Sequence, residues 1–193
     1  MNPIIRLIQS RRSIGNLNKP MPNKEELSII LETALTAPDH KKLVPYQISI
    51  LTEDNLDKFG AVLLKAGKEK AIKENKTLDE IAEKKLSNMP KRAPMIITVA
   101  TNFKQHDKVP EFEQLLSVGA VIQNILLTLE SMGYKSIWRT GDLANEKLVK
   151  EFFKVSDDNI ICGFIYIGSS DIVLPNREKI NQEYINQIIS TIQ

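Results

Sequence analysis

The sequence predicts an α+β or α/β sandwich, and three observations lead to that prediction. The 193 residues, 42% of them hydrophobic and 26% charged, have the length and composition of one globular domain covering 1–193. Helical and strand patterns alternate loosely along the chain. One long segment, 111–132, is apolar around most of its girth, which indicates that a partner subunit covers part of it.

Helices are predicted where apolar residues recur at spacings of three and four. They cover 3–11, 24–36, 54–73, 77–88, 111–132, 144–153 and 179–192. Asn23 is placed to cap the second helix, and Pro38 stops it. Thr77 and Glu80 have the spacing of a capping box for the fourth. Gly133 ends the long helix.

Strands are predicted at short apolar runs rich in β-branched and aromatic residues. They cover 46–51, 95–100, 134–138 and 160–167. The run over 95–100 is apolar without alternation, which is typical of a strand buried on both faces. The lysine- and glutamate-rich stretch 65–92 predicts a solvated face or a mobile excursion.

The charge and the cysteine content narrow the classes of protein to which this chain can belong. The formal net charge of +2 gives no sign of a nucleic-acid footprint. The single cysteine, Cys162, allows no intrachain disulfide, is expected to be buried, and favours a reducing, cytoplasmic setting. No signal peptide is evident, and no run reaches the roughly 18 apolar residues of a membrane span.

Several catalytic motifs are missing from the sequence. There is no G-x-G-x-x-G, no G-x-x-x-x-G-K-[ST] and no G-x-S-x-G. Two histidines and one cysteine do not make a zinc site, and no carboxylate-rich metal pattern is present. A chain with so few reactive groups either uses an organic cofactor for redox work or carries out no chemistry.

Four short motifs are candidates for a site. Ser10 to Ser13, with Arg11 and Arg12, can hold a phosphate, or else it is a surface helix end. The loop 37–42, containing Asp39 and His40, is either functional or an ordinary connection.

The third motif is the segment 137–142. Its Gly141 allows backbone N–H groups to approach the N5 edge of a flavin, although Trp138 is equally consistent with a core residue beside a tight turn. The fourth motif, 106–110 with Glu113 following, contains His106 and Asp107. We expect His106 to be exposed or hydrogen-bonded rather than part of a catalytic dyad.

Together, and in this order, the motifs resemble the nitroreductase family of FMN flavoproteins, in particular its short bacterial members. The resemblance covers about residues 1–170. It rests on R-R-S at 11–13, A-P-D-H-K at 37–41, R-A-P-x-I-I-T-V at 92–99, H-x-K-V-P-x-x-E-Q at 106–114, I-W-R-T-G at 137–141 and C-G-F-x-Y-x-G at 162–168. The segment after Asp171 has no counterpart.

The resemblance implies a three-layer sandwich with a central mixed sheet, in an intertwined homodimer that buries the long helix and holds FMN at its interface. It implies that Arg11, Arg12 and Ser13 hold the FMN phosphate and ribityl end, and that His40 comes from the partner subunit. Trp138, Arg139 and Thr140 would line the flavin, with the Thr140 backbone near N5. NAD(P)H and a small oxidised acceptor would then alternate over the flavin, with no catalytic side chain required.

The chain departs from the family pattern at two positions. Val44 replaces the glutamine of a frequent Gln-Pro-Trp, and Thr36 stands where an arginine is expected, so Lys41 or Lys42 is the candidate replacement. Arg177 is the candidate basic contact from the C-terminal segment. Alternative functions are an enone, quinone or haloaromatic reductase on the same scaffold, a non-catalytic flavin-binding dimer, and a cofactor-free interaction module. Neither the acceptor nor a preference for NADH or NADPH follows from the sequence.

Overall fold

The computed structural model describes residues 2–175, 177–178 and 180–189. The helices and strands follow in the order α1 (Pro3–Ser10), α2 (Lys24–Ala34), β1 (Tyr46–Thr52), α3 (Asp54–Lys73), α4 (Glu80–Asn88), β2 (Met95–Thr101), α5 (Glu111–Ser131), β3 (Lys135–Arg139), α6 (Lys147–Phe153), β4 (Ile161–Gly168) and α7 (Gln182–Ile188).

The four strands form one sheet in the order β1-β2-β4-β3. Each neighbouring pair is antiparallel. Within the described residues, parallel pairing is limited to one isolated bridge between Ser13, in the segment after α1, and Ser136 of β3. The mixed character expected for the sheet is therefore confined to this edge.

The sheet separates two apolar clusters, as a three-layer sandwich requires. On one face, side chains of α3 and α6 such as Phe59 and Phe153 pack against Phe164 of β4. On the other face, α2 and α5 cover Ile97 and Ile165. The central strands β2 and β4 are apolar almost throughout because both of their faces are covered.

The long helix α5 occupies the middle of the second cluster. Nine of its residues are buried: Gln114, Ser117, Val118, Val121, Ile122, Ile125, Leu126, Thr128 and Leu129. Contrary to the sequence-based expectation, α5 is long and apolar enough to cross a membrane by length and composition alone. The core helix of a folded domain meets the same criterion, and α5 packs on the sheet and on α2.

Three predicted helix starts were wrong, at α4, α6 and α7, and local hydrogen bonds explain the first two. Helix α4 begins at Glu80 rather than Thr77, because the Asp79 carboxylate accepts the amide of Ala82 and caps it. Residues 142–145 form turns, with the amide of Ala144 donating to the carbonyl of Gly141, so α6 begins only at Lys147.

The predicted cap at Asn23 is confirmed, and it is one half of a capping box, since Asn23 and Glu26 each accept the other's amide. The capping box predicted at Thr77 and Glu80 is not formed, because Asp79 caps that helix. The final helix begins later and is shorter than predicted, covering Gln182–Ile188, while positions 179 and 190–192 of that prediction lie outside the described residues.

Candidate functional site

The predicted site residues lie at two opposite edges of the sheet. Ser13 bridges Ser136 at the β3 edge, whereas His40 belongs to the turn that leads into β1 at the other edge. Three strand spacings of about 4.8 Å separate these edges by roughly 14 Å. The residues at the β3 edge, which form the first group, therefore do not come together with His40 within one chain.

The first group is built on the loop that follows α1. Arg12 donates from Nη2 to the carbonyl oxygen of Pro175 at 3.3 Å. Arg177 in turn donates from Nη2 to the carbonyl oxygen of Arg11 at 2.8 Å. These two contacts hold the C-terminal segment against the loop and bring three of the six arginines of the chain together.

The environment of the Arg11 guanidinium is the feature of the site that best fits an anionic ligand. Its Nη1 atom is buried, and no residue in the described part of the chain accepts a hydrogen bond from it. A buried guanidinium nitrogen without an acceptor is costly, whereas a phosphate oxygen would satisfy both its charge and its N–H. With Arg12 beside it and the exposed hydroxyl of Ser13 following, the loop has the donors that a phosphate ester needs.

Arg139, the last residue of β3, extends this positive surface. Its guanidinium lies over the ring of Tyr166, with Cζ 5.9 Å from the ring centroid. A Cβ atom on Gly15 would lie 2.7 Å from Nη2 of Arg139, so the close approach requires glycine. Burial raises the pKa of Tyr166, and the nearby Arg139 charge opposes that shift only in part.

Trp138 points to the opposite face of the sheet from Arg139, because successive side chains of a strand alternate. Its Nε1 donates to the carbonyl oxygen of Cys162 at 3.0 Å, and its indole lies against Gly163, where any Cβ would collide with it. The resemblance implies that Trp138, Arg139 and Thr140 line one flavin. In the structure, the side chains of Trp138 and Arg139 lie on opposite faces of the sheet. Trp138 as a residue remains 41% exposed, and it lines a cavity beside α5.

The turn of Thr140 and Gly141 forms the boundary between two cavities. A cavity of about 490 Å³ lies between this turn, α3 and α4, and Arg139 and Tyr166 also line it. A second, of about 370 Å³, lies between the same turn, Trp138 and α5. Gly141 has φ +79°, a left-handed conformation that favours glycine.

The turn before β1 is strained and held by one carboxylate. Lys41, Lys42 and Val44 all have positive φ, at 64°, 54° and 51°. The Asp39 carboxylate accepts the amides of Leu43 at 3.1 Å and of Val44 at 2.7 Å. Left-handed backbone at a β-branched residue is costly, and such strain is concentrated at functional sites.

The side chain of His40 contacts a residue that the sequence analysis did not assign to the site. Its Nδ1 lies 2.9 Å from Oε2 of Glu113, in the first turn of α5. Glu113 belongs to the fourth motif and to the resemblance at 106–114, but neither predicted its contact with His40. The expectation for His106 is confirmed, since its Nδ1 accepts the amide of Lys108 rather than pairing with Asp107.

The expectation that Cys162 is buried was wrong: it is only partly buried, and burial raises the pKa of its thiol to about 11. Thr36 donates its hydroxyl hydrogen to the carbonyl of Thr33. The replacement of its expected arginine by Lys41 or Lys42 stays a prediction.

Comparison with known proteins identifies related sequences that match most of the chain. A sequence model of the nitroreductase family matches residues 8–169. The Escherichia coli protein named "Putative NAD(P)H nitroreductase YdjA" is 33% identical over 168 residues, which cover 87% of this chain and 88% of that protein. A relative of the same description from Haemophilus influenzae is 32% identical over 164 residues, 84% of this chain and 86% of the other.

Solved structures show the same fold. A nitroreductase-like family protein from Bacillus cereus superposes with a TM-score of 0.82 at 22% identity, over 100% of this chain and 97% of that one. A candidate nitroreductase from Desulfovibrio desulfuricans, solved in complex with FMN, superposes with a TM-score of 0.70 at 17% identity, over 100% of this chain and 99% of that one.

Proposed function

The chain belongs to the nitroreductase family, and from that premise we propose that it is an FMN-dependent enzyme carrying hydride from NAD(P)H to a small oxidised acceptor. Nitroaromatics and quinones are acceptors of the right kind. A bound FMN would supply the redox chemistry, taking hydride at N5 and passing it on. The protein's part is to bind, orient and shield that group.

The single observation that carries the proposal is the buried, unpartnered Nη1 of Arg11. Together with Arg12 and Ser13 it would hold the phosphate, and Arg177 would supply a further positive charge from the C-terminal segment. The backbone at Thr140 and Gly141 would face the N5 edge of the flavin, where N–H groups stabilise charge that develops on reduction. Arg139 would lie between these two ends of the cofactor.

We propose that the complete site needs two copies of the chain. His40 lies across the sheet from Arg11, so a site containing both takes one from each copy. Apolar side chains stand exposed along the N-terminal half of α5, with Phe112 at 64% and Leu116 at 67%. A second copy seated on this stripe would cover it and bring its His40 turn with it.

We also propose a cellular setting and a domain extent for this chain. A reducing, cytoplasmic setting is the one we propose for a chain with one partly buried cysteine. The whole of 1–193 is proposed to act as one domain.

The test is the visible absorbance spectrum of the purified protein, before and after incubation with FMN and desalting. Retained flavin bands that bleach on anaerobic addition of NADH or NADPH are the expected result. Retained bands that do not bleach would favour a non-catalytic flavin-binding dimer. A protein that keeps no flavin would contradict the proposal, and bleaching followed by reoxidation with enones but not with nitroaromatics or quinones would reassign the acceptor.

A further inference from the structure

The contact between His40 and Glu113 joins two segments that are far apart in sequence. His40 lies in the turn before β1, Glu113 lies in the first turn of α5, and their side chains meet at 2.9 Å. No other hydrogen bond to the imidazole of His40 occurs within the described part of the chain. The remaining ring nitrogen, Nε2, is therefore available to a ligand.

The chemistry of this contact fixes the position of a proton. An ionised carboxylate only accepts hydrogen bonds, so Nδ1 of His40 must carry the hydrogen that lies between the two side chains. A neutral imidazole has one ring N–H, which leaves Nε2 as an acceptor. A flavin offers hydrogen-bond donors to such an atom at its ribityl hydroxyls and at N3–H.

Both partners stand on backbone that is held in place. The Asp39 carboxylate fixes the amides of Leu43 and Val44, which follow His40 in its turn. On the other side, the Gln114 side chain is 2% exposed and bonds the amide and the carbonyl of Lys104, each at 2.9 Å. The amide of Asn102 donates to the carbonyl of Pro45 at 2.8 Å, which ties the two loops together.

The pair contributes little to the stability of the isolated chain. The side chain of His40 is 51% exposed and that of Glu113 is 36% exposed, and ion pairs at such exposure are weak. The larger effect of the pair is on the orientation of the His40 ring. With Nδ1 bound to Glu113, Nε2 is held pointing away from Glu113.

We propose that Glu113 is a positioning residue: it holds His40 in the Nδ1–H form, so that Nε2 accepts a hydrogen bond from the flavin bound by a second copy of the chain. This inference rests on the proposed function. It adds the motif at 106–114 to the site, through Glu113 and through the anchoring of its helix turn by Gln114.

The first experiment measures the tautomer by long-range ¹H–¹⁵N NMR of the flavin-free protein. The chain has two histidines, so a His106→Gln variant assigns the signals. We expect the pattern of an N–H at Nδ1 and a bare Nε2 for wild-type His40, and averaged tautomers in Glu113→Ala. Glu111→Ala is the matched control, since Glu111 is exposed in the same helix turn. An Nε2–H form in the wild type would overturn the proposal.

The second experiment is a double-mutant cycle in which FMN affinity is measured by fluorescence quenching. Glu113→Ala should weaken FMN binding about threefold to tenfold, the value of one hydrogen bond, and Glu113→Gln should restore part of that loss because its amide oxygen still accepts. In a His40→Ala background, Glu113→Ala should have no further effect. Independent losses in the cycle, or unchanged affinity in Glu113→Ala, would contradict the positioning role.

The two proposals fail in different ways. If the wild type binds no FMN, the proposed function is wrong, and the flavin contact of His40 fails with it whatever the tautomer. If the wild type binds and turns over while Glu113→Ala behaves like Glu111→Ala, only the role of Glu113 is wrong. Circular dichroism of every variant identifies any loss that comes from unfolding.

Discussion

Gly15 and Arg139 are in contact: a Cβ atom on Gly15 would lie 2.7 Å from Nη2 of the arginine. The absence of a side chain at Gly15 is what lets the guanidinium lie between the N-terminal loop and the ring of Tyr166. Residue 15 thereby controls where a positive charge stands between the two proposed ends of the cofactor site.

Gly15→Ala should displace the guanidinium and weaken FMN binding severalfold, with little loss of stability. The displaced atoms are the far end of a flexible side chain, so the free energy of unfolding should change by less than about 1 kcal/mol. Flavin titration and thermal unfolding measure the two effects. Asn16→Ala, at the neighbouring exposed position, is the control. Equal flavin affinity in both variants would show that the position of Arg139 does not matter to the cofactor.

Replacing both Arg11 and Arg12 by alanine should strip FMN while leaving the chain folded. Each charge-assisted hydrogen bond contributes about 1.5–3 kcal/mol, so the double change should lower the affinity at least a hundredfold. The flavin-to-protein ratio after desalting measures it. Lys24→Ala with Lys84→Ala removes the same net charge from exposed positions elsewhere and should retain flavin. Full flavin occupancy in the arginine variant would refute the phosphate assignment.

Two defective chains should restore one site when they are mixed. One chain carries Arg11→Ala and Arg12→Ala, and the other carries His40→Glu, which sets a second carboxylate beside Glu113. A mixed dimer has one doubly altered site and one intact site. Differently tagged chains purified as mixed dimers should therefore hold one FMN per dimer and show about half the wild-type activity.

The opposite outcome of that mixing experiment is equally informative. If each site were complete within one chain, the mixed dimer would hold no more flavin than the average of the two altered homodimers. The altered homodimers, measured separately, provide that baseline.

The thiol of Cys162 should react slowly with iodoacetamide at neutral pH. Burial disfavours the thiolate and raises the pKa of the thiol to about 11, so the reactive form is scarce until the pH approaches that value. The alkylation rate of the folded protein should thus rise between pH 9 and pH 11. In urea-unfolded protein the rise should centre near the ordinary thiol pKa of about 8.5. Identical profiles would show that the thiol is not protected in the folded state.

Features governed by neighbours in sequence were the most predictable. Asn23 was correctly predicted as a cap because its partner, Glu26, lies within one helical turn. At α4, Thr77 and Asp79 both carry cap-forming side chains, and the structure uses Asp79, whose carboxylate accepts the amide of Ala82. The strongly apolar strands were predicted to within one residue.

The arrangement of the site was less accessible from sequence. The division of Trp138 and Arg139 between opposite faces follows from strand alternation and could have been inferred once both were placed on β3. The contact of His40 with Glu113 spans 73 residues and depends on how α5 packs beside the turn before β1, so no local pattern reveals it. The same holds for Arg177, which meets Arg11 across 166 residues.

The width of the sheet between Ser13 and His40 has a consequence for how the protein behaves in solution. If each cofactor is held by two chains, flavin affinity and self-association are thermodynamically linked, and each must strengthen the other by the same factor. Specific activity should then fall on dilution even with every residue intact, and added FMN should lower the protein concentration at which it falls. Cellular abundance of the chain would thus set the fraction of working enzyme.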